Sequence, residues 1–475
     1  MVTIIRIRHD KLGSKVYVPP PPDPDEMVMD AQTFKDLEIF AAEQEGASLF
    51  DLCNATRTDG GAKALRTRMK KPWSTPARIR AVQESISFIL QHRPLFERMP
   101  SDVMTVGVEN YLHGALPLVM SDNAFEFWIG ALEVRFGDFR PYHRIVRGVQ
   151  AAAGMVSMLR RLISAPQLGS AAGELGQRLG AIRALLAHPA LATVHDEEMW
   201  SQKAWSVLRM DQMFRLREKD TIDQLLHLAY EVDALVSMAD ATRQHAFVMP
   251  EIHEGALAVE AEAVAHPFIQ NAVPNPLALD QQHRMLFLTG PNMAGKTTYL
   301  RACGIALYLA HLGMGVPARA FRFSPCQRLF SSITVADNVR SGVSFFRAEA
   351  LRVKAIAQAV TDGYRVVALM DEPFKGTNVK DALDASRAIL ERFAAKEDCL
   401  FLVSSHLIEL GDQVVATGQV DCRHFEAGER EGRLRFEYVL KPGVSTQRLG
   451  MRVLREEGIF DLLDAERGTP PVSAA

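Results

Sequence analysis

Between Met285 and Thr298 the chain reads MLFLTGPNMAGKTT, an apolar run that stops at Gly290 and restarts after Gly295, Lys296 and Thr297. That spacing is G-x-x-x-x-G-K-[ST], which constrains the fold more than any other stretch of the sequence. It calls for a buried strand, a glycine-rich turn and a helix in immediate succession. The glycines are needed because backbone N–H groups must point inward to surround phosphate oxygens, and side chains would block that approach. Gly290, Pro291, Asn292, Met293, Ala294 and Gly295 are therefore expected to form the cradle, with Thr298 in the first turn of the helix. Lys296 is expected to reach the β- and γ-phosphates as a point charge, and the Thr297 hydroxyl to take a Mg2+ coordination position.

Two further apolar runs end in groups suited to the same chemistry. RVVALMDEP closes in Asp371 and Glu372, an acidic pair placed to hold a magnesium shell and to orient or deprotonate a water. CLFLVSSH closes in His406, which could sense a γ-phosphate. Fully apolar strands alternating with helices imply a mainly parallel sheet covered on both faces. GIALYLAHLGMGVP, the most apolar segment, reads as a buried helix behind the loop rather than a membrane span. Later, QVDCRHFEAGEREGRLRFEYVL reads as a hairpin turning between Gly428 and Gly432, and QRLGMRVLREEGIFDLLD as helical.

The first half of the chain is different in kind. VPPPPDPD at 18–25 breaks any helix or central strand. From Asp30 to about Ala246 the text is rich in Leu, Ala, Arg and Glu with helical periodicity. It is clearest in TIDQLLHLAYEVDALVSMADATRQ, where Ile222, Leu225, Leu226, Ala229, Val232, Leu235 or Val236, and Ala239 share a face. Four regions follow: 1–28, a strand and proline-rich linker; 29–250, helical; 251–462, α/β with a helical end; and 463–475, a tail.

A net charge of −3 gives no overall basic field, although a local patch could still bind nucleic acid. Two segments mix cations suitably, Lys63 to Lys71 and Trp200 to Arg217, but such runs are more often solvated helix faces with buried tryptophans. Five cysteines without a C-x-x-C pair argue against a zinc site and a disulfide framework, so a cytoplasmic location is expected.

TGPNMAGKTTYLR, LMDEPFKGTN and SSHLIEL resemble, in order and spacing, the ATPase domain of the MutS mismatch-repair family. The resemblance extends to HPFIQNAVPNPLAL, DNVRSGVSFFRAEA and YVLKPGVSTQRLGMRVLREEGI. Upstream, MDAQTFKDLEI, SLFDLCNATRTDGGAKALRTRMKKP and AYEVDALVSMADATRQHAFVMPEI look like the two ends of that family's helical core or lever domain. The resemblance implies an α/β ABC-class P-loop ATPase domain preceded by an all-α lever/core domain. It also implies ATP and Mg2+ as cofactors, and a homodimer in which Ser344, within SGVSFF, crosses to the partner's nucleotide.

Departures from the family pattern matter too. Phe345 follows Ser344 where threonine is usual, Lys375 to Asn378 replaces Arg-Gly-Thr-Ser, and Ala272 stands where an adenine-stacking aromatic is common. Only 28 residues precede the lever match and no Phe-x-Glu occurs, so direct mismatch reading is not expected. The function expected is a MutS-like ATPase coupling ATP turnover to conformational change on DNA, in repair or recombination. The alternative is an ATP-gated dimerisation or interaction module without DNA affinity. An ABC transporter ATPase is a distant third, since no L-S-G-G-Q signature is present.

Overall fold

Alternating buried strands and amphipathic helices account for the second half of the chain, and helices alone for most of the first. The structure, a computed structural model, describes residues 7–9, 15–17, 23–41, 46–136, 139–192, 194, 204–334, 345–407, 409–411, 418–430, 433–445, 447 and 449–464. By internal contacts the chain divides into two compact units: Met1–Met27, Phe40–Pro250 and Tyr308–Val316 in the first, and Val28–Ile39, Glu251–Leu307 and Pro317–Ala475 in the second.

The first unit is organised around the helix Lys219–Gln244. The face read from the sequence is buried, and from Val232 to Ala239 every residue is buried, so the helix is covered all round there rather than along one stripe. Its buried polar groups are satisfied. Asp233 accepts from the Arg57 and Thr58 backbone N–H groups at 3.1 and 3.0 Å and from Thr58 Oγ1 at 2.7 Å. Ser237 Oγ donates to Cys53 O and accepts from Ala55 N–H. The neighbouring helix Asp59–Met69 starts with a glycine pair because it approaches closely: a Cβ at Gly60 would lie 2.1 Å from Tyr230 Cζ. Asp233→Ala strands these donors and is expected to destabilise the chain by about 2–4 kcal/mol. The urea midpoint measures this, and a wild-type midpoint would show that water replaces the carboxylate without loss.

Most cations of the two mixed segments have partners inside this unit. Arg66 stacks over Phe40 and Phe50, Arg68 pairs with Glu174 at 2.5 Å, and Lys71 pairs with Glu26 at 2.9 Å. Arg209 lies 3.7 Å from the Phe127 ring centroid, Arg215 pairs with the buried Asp211 at 2.6 Å, and Arg217 pairs with Asp122. Trp200 and Lys203 lie outside the described residues. At the amino end, Ile7–His9 pairs antiparallel with Lys15–Tyr17.

The second unit contains a six-stranded sheet in the order Lys441–Pro442, Val420–His424, Met285–Thr289, Cys399–Ser404, Val366–Asp371, Arg328–Ser332. All pairs are parallel except the edge pair of Lys441–Pro442 with Val420–His424. Met285–Thr289 and Cys399–Ser404 are buried at every position, as expected of strands covered on both faces. Phe393 stacks on Phe401 at a centroid distance of 4.7 Å in the core beneath. The hairpin read from 419–440 is shorter than expected, Ala427–Arg430 with Arg433–Phe436, because Val420–His424 joins the main sheet beside Met285–Thr289. The closing helical stretch is two helices, Gly450–Glu456 and Ile459–Asp464, separated at Gly458, where φ is +69°.

A second, four-stranded sheet, Glu251–Ile252, Ala320–Phe323, Val259–Val264, Asn275–Leu279, goes beyond what the sequence indicates. Its strand VEAEAV alternates buried and exposed positions, the signature of a half-covered sheet. The segment Val28–Ile39 groups with this unit rather than with the helices that follow it. The reason is a buried carboxylate: Asp36 accepts from Ser331 Oγ at 2.9 Å and from the Ile333 and Thr334 N–H groups at 2.8 and 3.1 Å. Among the described residues no helix is long and apolar enough to cross a membrane.

Candidate nucleotide site

Strand Met285–Thr289 delivers the chain into the glycine loop, and helix Lys296–His311 begins directly after it. Gly290 has φ +140°, and a Cβ there would lie 2.7 Å from Phe425 O, so only glycine fits. Gly295 has φ +101°, with Tyr438 Cδ1 3.1 Å from a built Cβ. Met293, at φ +69°, carries backbone strain on a non-glycine residue in the same turn. Lys296 is buried, its Nζ donating to Gly290 O at 2.9 Å and Pro291 O at 3.3 Å. Burial lowers its pKa, and Glu372 and Asp371 oppose that shift.

Register brings the other groups to the same end of the sheet. Ser404 is aligned with Leu288 on one side and with Asp371 on the other, so three adjacent parallel strands finish together. Thr297 Oγ1 donates to Asp371 Oδ2 at 2.6 Å, and Ser404 Oγ donates to Asp371 Oδ1. Glu372, at φ +50°, donates its N–H to Ser404 O at 3.0 Å. Its Oε1 lies 3.8 Å from Lys296 Nζ and 3.7 Å from His406 Nδ1, ion-pair rather than hydrogen-bond distances. The neighbouring His406 holds the Glu372 carboxyl below its ordinary pKa, with Lys296 adding to the effect against burial. Reciprocally, Glu372 raises the His406 imidazole.

These groups open onto a cleft of about 680 Å³ whose walls include Lys296, Thr297, Asp371 and Glu372. Its lining also contains His266, Ile269, Ala272 and Tyr438. The donor set fits a nucleotide with magnesium. The loop is a cradle that a Cβ at Gly290 would fill, and a hydroxyl beside a carboxylate suits a hard cation that keeps most of its water. Of the residues singled out in the sequence, Lys296, Thr297, Asp371, Glu372 and His406 come together. Asn292, Met293, Gly295 and Thr298 also line the cleft, and Gly290, Pro291 and Ala294 complete the loop without lining it. Ser344 lies outside the described residues. Sequence reasoning misses Ser404, Asn275 and Tyr438. Asn275 Nδ2 donates to Tyr438 O at 2.9 Å and its Oδ1 accepts from Leu440 N–H at 2.7 Å, tying the Tyr438 segment to the cleft wall.

A strand, a glycine loop closing on a buried lysine and an acidic strand end one strand away together define a P-loop nucleotide-binding domain. The family described as MutS domain V matches residues 286–464. The DNA mismatch repair protein MutS of Aquifex pyrophilus is 32% identical over 247 residues, 51% of this chain and 29% of that protein. Residues 286–464 thus carry a MutS domain V, and the chain spans less than a third of the length of that relative in the match.

Proposed function

We propose that the chain binds ATP with Mg2+ at this cleft, hydrolyses it, and uses the cycle to change conformation on DNA, in the manner of mismatch repair or recombination. What carries the reading is the convergence of Lys296, Thr297, Asp371, Glu372 and His406 at the ends of three adjacent strands. In this reading Gly290 to Thr298 hold the phosphates through backbone N–H groups, and Lys296 leaves its carbonyl partners to meet the β- and γ-oxygens. Thr297 and Asp371 would hold the cation, with Ser404 fixing the Asp371 carboxylate. Bound Mg2+ would neutralise charge on the phosphate oxygens. Glu372 takes the proton from the attacking water, and His406 orients Glu372 and keeps it ionised. The lever/core domain read at 29–250 corresponds to the helical unit from Phe40 to Pro250, and the ATPase read at 251–462 takes in Val28–Ile39 as well. Two ATPase domains meet across nucleotide with Ser344 completing the partner's site.

Two observations sharpen this reading. The Glu372 carboxyl is held low chiefly by His406, so His406→Ala should move the acid limb of the kcat/KM profile to higher pH. A limb that stays in place would remove His406 from the proton-transfer step. Tyr438 lines the cleft that also contains Ala272, and its ring is an aromatic surface available where position 272 offers none. Tyr438→Ala should raise KM for ATP about tenfold with kcat unchanged, the typical value of one base–aromatic stack. An unchanged KM would assign the base to another wall.

The internal partners of Arg66, Arg68, Lys71, Arg215 and Arg217 favour the second reading, an ATP-gated interaction module without DNA affinity of its own. ATPase rate and oligomeric state, followed with mismatched, branched and single-stranded DNA at several salt concentrations, separate the two. Salt-dependent binding that alters turnover supports the DNA reading; ATP-dependent dimerisation with no DNA response supports the module.

A further inference from the structure

The helix Ala124–Phe136, AFEFWIGALEVRF, is apolar on two opposite faces, a pattern that belongs to a helix covered on both sides. Among the described residues only one side is covered. Inward, Phe127 is fully buried, with the Arg209 guanidinium 3.7 Å from its centroid and the Trp205 ring edge-on at 4.8 Å. Outward, Phe125, Trp128, Ile129, Leu132 and Phe136 are 69%, 51%, 42%, 36% and 75% exposed. Their 3.6-residue spacing makes one continuous stripe of roughly 600 Å², at the upper end of what monomers expose and close to one side of a standard protein interface. Met120, also exposed, precedes the same helix.

Charge decides what the stripe fits. Glu126 and Glu133, seven residues apart on one edge of the helix, border it with exposed carboxylates. On the opposite edge Arg135 is spent on aromatic faces, its Cζ lying 4.8 Å from the Tyr142 centroid and 5.5 Å from that of Phe136. An acidic border repels nucleic-acid phosphates and anionic lipid headgroups, and an antiparallel pairing of two copies of this helix would set acid edge against acid edge. We propose that this face docks an amphipathic helix of a partner protein, one whose apolar ridge is bordered by Lys or Arg on the side that meets Glu126 and Glu133.

The test uses the full chain and two labelled helical peptides with identical leucine ridges, one bordered by lysines and the other by glutamates. Fluorescence anisotropy should show the lysine peptide binding about tenfold more tightly, the effect of two exposed charge pairs changing sign. Trp128→Ser, in the middle of the stripe, should weaken binding at least about tenfold, as expected for an aromatic anchor at an interface centre, and Phe136→Ser, at its end, by less. Glu133→Lys, which disturbs no buried contact and so remains informative if the aromatic variants fold poorly, leaves one acid and one base on that edge and should bring the two peptides to about equal affinity; a preference kept at its wild-type size in this variant would also overturn the proposal. Equal binding of both peptides by the unaltered chain, or none, overturns the proposal. So does Trp128-dependent flotation with phosphatidylcholine vesicles, or Trp128-dependent self-association in sedimentation that excludes the lysine peptide.

Discussion

Lys296→Ala should weaken ATP binding by at least about a hundredfold, within the 2–5 kcal/mol typical of removing one partner of a buried charge pair. The size of the effect follows from the burial of the ammonium. Its side chain is only 5% exposed, and it is held by two loop carbonyls within reach of both the cradle and Glu372. A triphosphate entering that loop gains a charge-assisted partner that water cannot replace once the cleft is filled. Because the same Nζ supports Gly290 O and Pro291 O, Lys296→Met should be measured beside it, with thermal unfolding of both. Affinity lost at unchanged melting temperature assigns the effect to phosphate contact. Wild-type affinity in either variant would detach Lys296 from the nucleotide.

Glu372→Gln should leave ATP affinity within a few fold of wild type and lower kcat by about 10²–10⁴, the range for loss of a positioned general base. The amide keeps the size of the carboxylate but cannot accept a proton at neutral pH. The strained backbone at Glu372, φ +50°, and the N–H bond to Ser404 O are expected to persist, so the substitution isolates proton transfer. Losing the carboxylate also removes what raises His406, whose pKa should fall back toward the ordinary imidazole value; the histidine C2–H resonance reports it. If hydrolysis waits on this residue, ATP-bound dimer accumulates in the variant and is visible by light scattering. Turnover at the wild-type rate would remove Glu372 from the chemistry.

The parts of the site readable in the sequence are those encoded by local spacing. Gly290, Gly295, Lys296 and Thr297 are fixed by one turn, and Asp371, Glu372 and His406 each close an apolar run, so a strand end announces them. Ser404, which holds Asp371, stands inside one of those runs and escapes notice there because its role exists only through the register of adjacent strands. Tyr438 and Asn275 reach the cleft from segments far apart in the chain, joined by hydrogen bonds that no spacing foretells. The same limit explains the fold. The three fully apolar strands stand out, whereas the half-covered sheet has weaker alternation, and Val28–Ile39 belongs with the α/β unit through Asp36, a contact made some three hundred residues away along the chain. In the helical unit, the long helix is evident from one apolar stripe. Its burial on all sides is not, because Asp233 and Ser237 look solvent-facing until their partners are known.

The most direct measurement is a crystal structure of the chain with Mg2+ and a non-hydrolysable ATP analogue. A γ-phosphate oxygen is expected at about 3 Å from Lys296 Nζ, the cation on Thr297 and Asp371, and Glu372 one water from the phosphorus. Density for the triphosphate away from the glycine loop, or a cation held by neither Thr297 nor Asp371, would contradict this arrangement.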